Sequence, residues 1–101
     1  MKNLYDFEMP GNGERFDTLF KKGVIEVVRI VSTSIDEPKN FRDERDEWVV
    51  LLQGEAQLAM RGKRIALKAG DTLYIPADTP HELISVSPGS LWLAFHFKTC
   101  E

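Results

Sequence analysis

The segment GDTLYIPADTPH, residues 70–81, is the stretch of this chain that says most about its fold. It begins with a Gly-Asp turn, continues through the segment Thr72–Ile75 and ends in a loop with two prolines before His81. Glycine and aspartate favour turns, and proline lacks the backbone donor that a central strand needs. The pattern therefore predicts a short β-strand that is followed by a tight loop and a histidine.

Turn residues cut the rest of the chain into similar short pieces. From residue 47 onward the interval between breaks is mostly six to ten residues. This even spacing is typical of an all-β sandwich or barrel of, here, about eight strands. Besides Thr72–Ile75, the segments of β type are Leu4–Phe7, Val24–Ser32, Trp48–Leu52, Ala56–Arg61, Arg64–Lys68, Glu82–Val86 and Leu91–Phe97.

One segment has a different spacing. Phe16, Leu19 and Phe20 recur at three and four residues, as they would on one face of an amphipathic helix. The segment Gly13–Lys22 has room for only about one or two helical turns. We therefore expect a short helix here.

Length and composition indicate one small domain over residues 1–101. Of the 101 residues, 43% are hydrophobic and 29% are charged, which is ordinary for a globular domain. The net charge of −3 provides no basic surface for a phosphate backbone, so nucleic acid is disfavoured as a partner. The longest apolar runs, such as Trp48–Leu52, are far too short to cross a membrane. Cys100 has no second cysteine to pair with. We expect a cytoplasmic protein with no membrane partner.

A second informative segment is EWVVLLQG, residues 47–54, in which a glutamate opens an apolar strand and a glycine follows it. Together with residues 70–81, it resembles the two motifs of the cupin superfamily. The resemblance extends over residues 24–97. It implies an all-β, cupin-type double-stranded β-helix, which is a jelly-roll barrel of two antiparallel sheets.

The cupin motifs also imply a metal centre of three histidines and one glutamate. Of these four ligands, the chain keeps Glu47 and His81. The two histidines of the first motif would fall at positions 41 and 43 if three residues precede the glutamate, or at 40 and 42 if four do. Neither pair contains a histidine. In the second motif, Asp78 replaces a glycine and Ser85 replaces an asparagine.

The remaining donors predict a weak metal site. Glu47 and His81 are the candidate ligands of a divalent transition metal, and Asp43 and His96 are additional candidates. Such a metal is usually held by several imidazoles and a carboxylate, so we expect this cofactor to bind weakly or not at all. The candidate cavity-lining residues are Arg42 and Tyr74.

The candidate metal ligands could instead have structural roles. Glu47 could instead pair with Arg42 or Arg45, in which case a guanidinium would oppose a metal ion by like-charge repulsion. His81 could hydrogen-bond a loop carbonyl, and His96 could be a histidine packed within a sheet.

Three functions follow. The favoured one is a stand-alone barrel that binds a small-molecule ligand, because the metal ligands are few. The alternative is a metal-dependent cupin enzyme, an oxygenase, isomerase or lyase that acts on a small polar substrate. A structural or partner-binding role is the third. Trp48–Leu52 and Leu91–Phe97 are apolar on both faces, which predicts a homodimer.

Overall fold

A computed structural model describes residues 3–98 of the protein, and in this range the chain forms nine β-strands and no helix. The strands are β1 Glu14–Lys22, β2 Ile25–Ser32, β3 Lys39–Phe41, β4 Asp46–Gln53, β5 Glu55–Met60, β6 Lys63–Lys68, β7 Thr72–Ile75, β8 His81–Val86 and β9 Ser90–Phe97. Seven of them correspond to predicted strands, with bounds that differ from the prediction by at most two residues.

The strands form two sheets in which every neighbouring pair is antiparallel. The five-stranded sheet has the order β1-β2-β9-β4-β7, and the four-stranded sheet has the order β3-β8-β5-β6. Sequential strands alternate between the sheets from β2 to β5 and again from β6 to β9, as in a jelly roll, whereas β1 shares a sheet with β2 and β5 with β6. The prediction of an all-β barrel with two antiparallel sheets is confirmed.

The core lies between the inner faces of the two sheets. Leu51 of β4 is fully buried, and Leu58 of β5 and Trp92 of β9 are 5% exposed. Because side chains alternate along a strand, the intervening residues point to the outer faces. This alternation determines which polar side chains reach the barrel interior.

The prediction of a helix within residues 13–22 is wrong, because this segment forms β1. β1 pairs with β2, and a bulge lies between Thr18 and Phe20. The bulge changes the parity of the strand, so Phe16 lines the interior whereas Phe20 lies opposite Val27 on the outer face. The helix-like spacing of the aromatic residues is therefore produced by an irregular strand.

The strand expected at Leu4–Phe7 is also wrong. Residues 4 and 5 form a turn. The segment is hydrogen-bonded to the outer face of the five-stranded sheet. Arg29 Nη1 of β2 donates to the carbonyl oxygen of Asp6 at 3.0 Å. The short strand β3 was missed, since Lys39–Phe41 follows directly on a turn-rich stretch.

The glycine of the first motif is required by its backbone and by its neighbours. Gly54 has a φ of +96°, and a Cβ atom at this position would collide with the side chain of Ser90. Both features favour glycine. Cys100 lies outside the described residues, and within them no helix of membrane-spanning length and hydropathy occurs.

Candidate functional site

A cavity of about 340 Å³ opens at one end of the barrel between the two sheets. Its floor is apolar, and ionisable side chains gather toward its mouth. Such a volume lies at the lower end of the range for small-molecule sites. The lining residues are Glu14, Phe16, Thr18, Glu26, Val28, Ile30, Phe41, Arg42, Asp43, Arg45, Glu47, Val49, Leu58, Ile75, His81, Leu83, Trp92 and His96.

Three polar residues form a row across the inner face of the five-stranded sheet. His96 of β9 lies opposite Glu26 of β2 on one side and opposite Glu47 of β4 on the other. Directly opposed residues share one face of a sheet, so all three side chains enter the cavity. The register therefore brings together Glu47 and His96, which are far apart in sequence.

The opposite wall is formed by Phe41 and His81. They are a register pair of β3 and β8, and their rings stack with centroids 5.8 Å apart. His81 Nδ1 lies 3.0 Å from the carbonyl oxygen of Thr79. Because a carbonyl only accepts, this hydrogen bond requires the proton on Nδ1 and leaves Nε2 as the acceptor of a neutral ring.

Arg45 is held by two carboxylates at the cavity mouth. Its Nη1 donates to Glu26 at 2.8 Å, and its Nε and Nη2 each donate to Asp43 at 3.1 Å. These hydrogen bonds hold the pKa of Asp43 and of Glu26 below its ordinary value and raise the pKa of Arg45. The three side chains form a closed ion-pair cluster.

Glu47 has no comparable cation. It has no side-chain hydrogen bond within residues 3–98, and burial raises its pKa. His96 and Arg45 act in the opposite direction, whereas the charges of Asp43 and Glu14 reinforce the rise. Glu47 is therefore a partly buried carboxyl group without a direct counter-ion.

Glu14 is a second buried carboxyl group, and the sequence analysis missed it. Ser32 Oγ donates to Glu14 at 2.6 Å and accepts from the indole Nε1 of Trp92 at 3.2 Å. Burial raises the pKa of Glu14 despite this hydrogen bond. Alternation along a strand would have placed it inside, but the helical interpretation of residues 13–22 hid that signal.

Five of the six predicted site residues line this cavity, namely Glu47, His81, Asp43, His96 and Arg42. The side chain of Arg42 is 64% exposed, and its Nε lies 3.8 Å from Asp78 rather than beside the glutamate. Tyr74 is placed elsewhere. It is 51% exposed on the outer face of the five-stranded sheet, and its hydroxyl donates to Asp46 at 2.7 Å. This hydrogen bond raises the pKa of Tyr74.

The register of β3 distinguishes between the two spacings of the first motif. Phe41 and Asp43 both line the cavity, whereas Asn40 is exposed and lies opposite Glu82 on the outer face. The three-residue spacing therefore fits the structure better. Its two histidine positions are occupied by an aromatic ring and by a carboxylate that is already paired with Arg45.

The side chains described do not fit a metal centre. No three His, Cys, Asp or Glu residues within positions 3–98 converge closely enough to hold a metal ion. His96 Nδ1 is 3.7 Å from Asp43, and both Asp43 and Glu26 are already bound to Arg45. A transition metal needs at least three or so well-placed protein donors.

Several solved structures resemble this chain. A protein from Ralstonia eutropha JMP134, named as a candidate mannose-6-phosphate isomerase, is 26% identical over 98% of both chains, with a TM-score of 0.87. KdgF from Halomonas sp. is 18% identical over 94% of this chain and 89% of its own, with a TM-score of 0.78. A cupin superfamily protein from Desulfitobacterium hafniense DCB-2 is 18% identical over 92% and 84%, with a TM-score of 0.75.

No match is found among curated proteins. The model of the cupin domain family, in contrast, matches residues 30–95, which is well over half of the chain and includes both motifs. The strand order, the motif spacing and this match agree, and the chain belongs to the cupin family.

Proposed function

We propose that this cupin binds a small polar molecule in the cavity between its sheets. The observation that carries the proposal is that Glu47 and His81, one from each cupin motif, line the same cavity of about 340 Å³. Such a cavity suits a ligand with a polar end and an apolar body, because its floor is apolar and its mouth is charged.

The residues at the mouth support binding rather than a structural role alone. Nε2 of His81 is left as an acceptor by the hydrogen bond from Nδ1 to Thr79, and Glu47 has no side-chain hydrogen bond within the described range. Both side chains are half-buried and line the cavity. A ligand that donates hydrogen bonds can therefore reach both acceptors.

We do not propose a metal-dependent oxygenase, isomerase or lyase, because the donor set does not fit a metal centre. The name of the Ralstonia protein suggests a phosphorylated sugar as one ligand to test. At 26% identity, however, a shared fold does not transfer an activity. Any metal that binds is expected to be held weakly.

The test uses a matched pair of substitutions in β2. Val28 is 7% exposed and lines the cavity, whereas its neighbour Val27 lies on the outer face. Ligand-observed NMR with mixtures of sugars, sugar phosphates, hydroxy acids and amines would identify binders to the native protein. Val28→Phe should abolish their binding by filling the cavity, and Val27→Phe should preserve it. Binding that survives in a folded Val28→Phe protein would contradict the proposal.

We also propose that the protein forms a homodimer through an outer patch of five residues, Ile25, Trp48, Tyr74, Phe95 and Phe97. Trp48 is 40% exposed and Ile25 is 45% exposed. Exposed apolar groups that share one flat sheet face commonly mark an interface. A second copy presents the same patch, and a two-fold axis can oppose the two patches.

A further inference from the structure

The two guanidinium groups that line the cavity already lie beside carboxylates. Four carboxyl groups line it, but only two guanidinium groups do. Arg45 binds two of the carboxylates, Asp43 and Glu26. Arg42 is largely exposed at the rim and lies beside Asp78. Two carboxyl groups, Glu14 and Glu47, are left without an ion-pair partner among the lining residues.

Both carboxyl groups line the same cavity, but at different places. Glu47 lies in the row of His96 and Glu26, whereas Glu14 lies opposite Ser32 at the far end of β2. Burying a carboxylate without a counter-ion is costly. A positively charged group that entered the cavity beside Glu47 would relieve this cost.

His96 lies opposite Glu47 and does not supply it with a hydrogen bond in the described residues. Its side chain is only 12% exposed, and its Nδ1 is sealed from the cavity at 3.7 Å from Asp43. The carboxyl group of Glu47 is therefore the group that a bound cation would meet. An ammonium group has three donors and no acceptor, so it complements this carboxylate.

The remaining walls suit an apolar body. Phe16, Phe41 and Trp92 line the cavity together with aliphatic side chains of both sheets. Aromatic faces attract cations as well as apolar groups, and this attraction is stronger where water is excluded. Phosphorylated or carboxylated molecules would instead face two unpaired carboxyl groups.

We propose that the cavity binds a small organic cation, an amine on an apolar body, whose charged group pairs with Glu47. This inference rests on the proposed function and specifies its ligand class. It predicts a preference opposite to the one that the name of the Ralstonia protein suggests.

The test compares three probes that share a phenylethyl skeleton: phenethylamine, 2-phenylethanol and 3-phenylpropionate. They are a cation, a neutral molecule and an anion at neutral pH. Isothermal titration calorimetry should show that the amine binds at least about tenfold more tightly than the alcohol, because a hydrogen-bonded charge pair contributes about that much. The propionate should bind most weakly.

Glutamine variants test which carboxyl group pairs with the amine. Glu47→Gln should weaken amine binding by about tenfold and leave alcohol binding unchanged, since only the charge is removed. Glu14→Gln removes the second unpaired carboxyl group of the cavity and should weaken amine binding less. Glu44→Gln is the matched control, because Glu44 lies in the loop that precedes β4, outside the cavity and beside Lys98. Thermal melting of each variant would confirm that it is folded.

The two proposals fail in different ways. Equal affinities for the three probes, tighter binding of the propionate, or no binding of any of the three would overturn the cation inference. Amine binding that is unchanged in folded Glu47→Gln would overturn it as well. The broader proposal would still stand if other small molecules bind the native protein and lose binding in Val28→Phe.

Discussion

The ring of Phe41 stacks on the imidazole of His81, with centroids 5.8 Å apart and an angle of 22° between the planes. The three-residue spacing of the first cupin motif would place a histidine at position 41. A metal-binding imidazole is therefore replaced here by an apolar ring, while the second-motif histidine keeps its place on the cavity wall. The stack changes the chemistry of the wall without changing the barrel.

Restoring the histidines tests this relationship. Phe41→His combined with Asp43→His should raise the affinity for Zn²⁺ by at least about tenfold, because it returns two imidazoles to the wall that holds His81. Titration calorimetry in the presence of a competing chelator would measure the change. Asn40→His with Arg42→His is the control, and an equal gain from that pair would show that the four-residue spacing is the relevant one.

The native protein should contain far less than one transition metal per chain after purification without added metal. The reason is that Asp43 is bound to Arg45 and that few other donors converge. Elemental analysis would measure the content. About one tightly held metal per chain, lost in Glu47→Ala or His81→Ala, would favour the enzyme alternative instead.

Asp78→Gly should stabilise the protein. Asp78 has a φ of 58°, in the left-handed region where glycine has no Cβ penalty, and the cupin motif has a glycine at this point. We expect a gain of about 0.5–1 kcal/mol in the free energy of unfolding, and a loss of about 1–2 kcal/mol in Asp78→Val. Urea denaturation would measure both, and a destabilised glycine variant would show that the Asp78 side chain is needed.

Stability should decline as the pH rises above the ordinary glutamate value. Burial raises the pKa of Glu47 and of Glu14 above 4.5, so the folded state binds protons more tightly than the unfolded state does. Their contribution is fully present below 4.5 and is lost as the pH rises through the raised values.

Urea denaturation between about pH 5 and pH 8 would measure this decline. It should be reduced in Glu14→Gln with Glu47→Gln and preserved in Glu8→Gln, because the side chain of Glu8 is 90% exposed. An equally steep decline in the double variant would assign the effect to other groups.

Trp48→Lys should weaken the proposed dimer. Trp48 packs edge to face against Phe95 in the outer patch, and a buried lysine there would lack a partner. We expect dissociation to increase by about thirtyfold or more, the effect of removing an interface hot spot. Light scattering over a dilution series would measure it. Gln57→Lys on the exposed face of the other sheet is the control, and a native protein that is monomeric throughout would reject the dimer.

Local pattern was sufficient for most of the fold. The alternation of Ala56, Leu58 and Met60 against polar neighbours predicts β5, and the Gly-Asp turn and Pro76 delimit β7. Side-chain alternation and turn propensity depend on residues that are close in sequence, so both can be recognised without knowing the partner strand. The same holds for the spacing from Glu47 to Gly54, which pointed to the family before the barrel was known.

Predictions from the local sequence pattern were wrong where strand pairing determines the structure. The bulge between Thr18 and Phe20 gives β1 a helix-like spacing, and only the hydrogen-bond ladder to β2 makes the segment a strand. Glu14 was missed for this reason. Tyr74 was placed inside the barrel from its motif, but the register of β7 against β4 turns it outward beside Trp48.

The strand-forming segments, the family motifs and the scarcity of metal ligands can be predicted from the sequence, because they depend on residue identity and on spacing along the chain. The pairing of charges across strands is visible only in the fold. Arg45 and Asp43 are near neighbours in sequence, but Arg45 reaches Glu26 only because β2 lies beside β9 and β9 beside β4. Glu14 and Glu47, in contrast, line the same cavity without an ion-pair partner among the lining residues. Charge pairing depends on distances across strands and on burial, and neither is encoded by spacing within one segment.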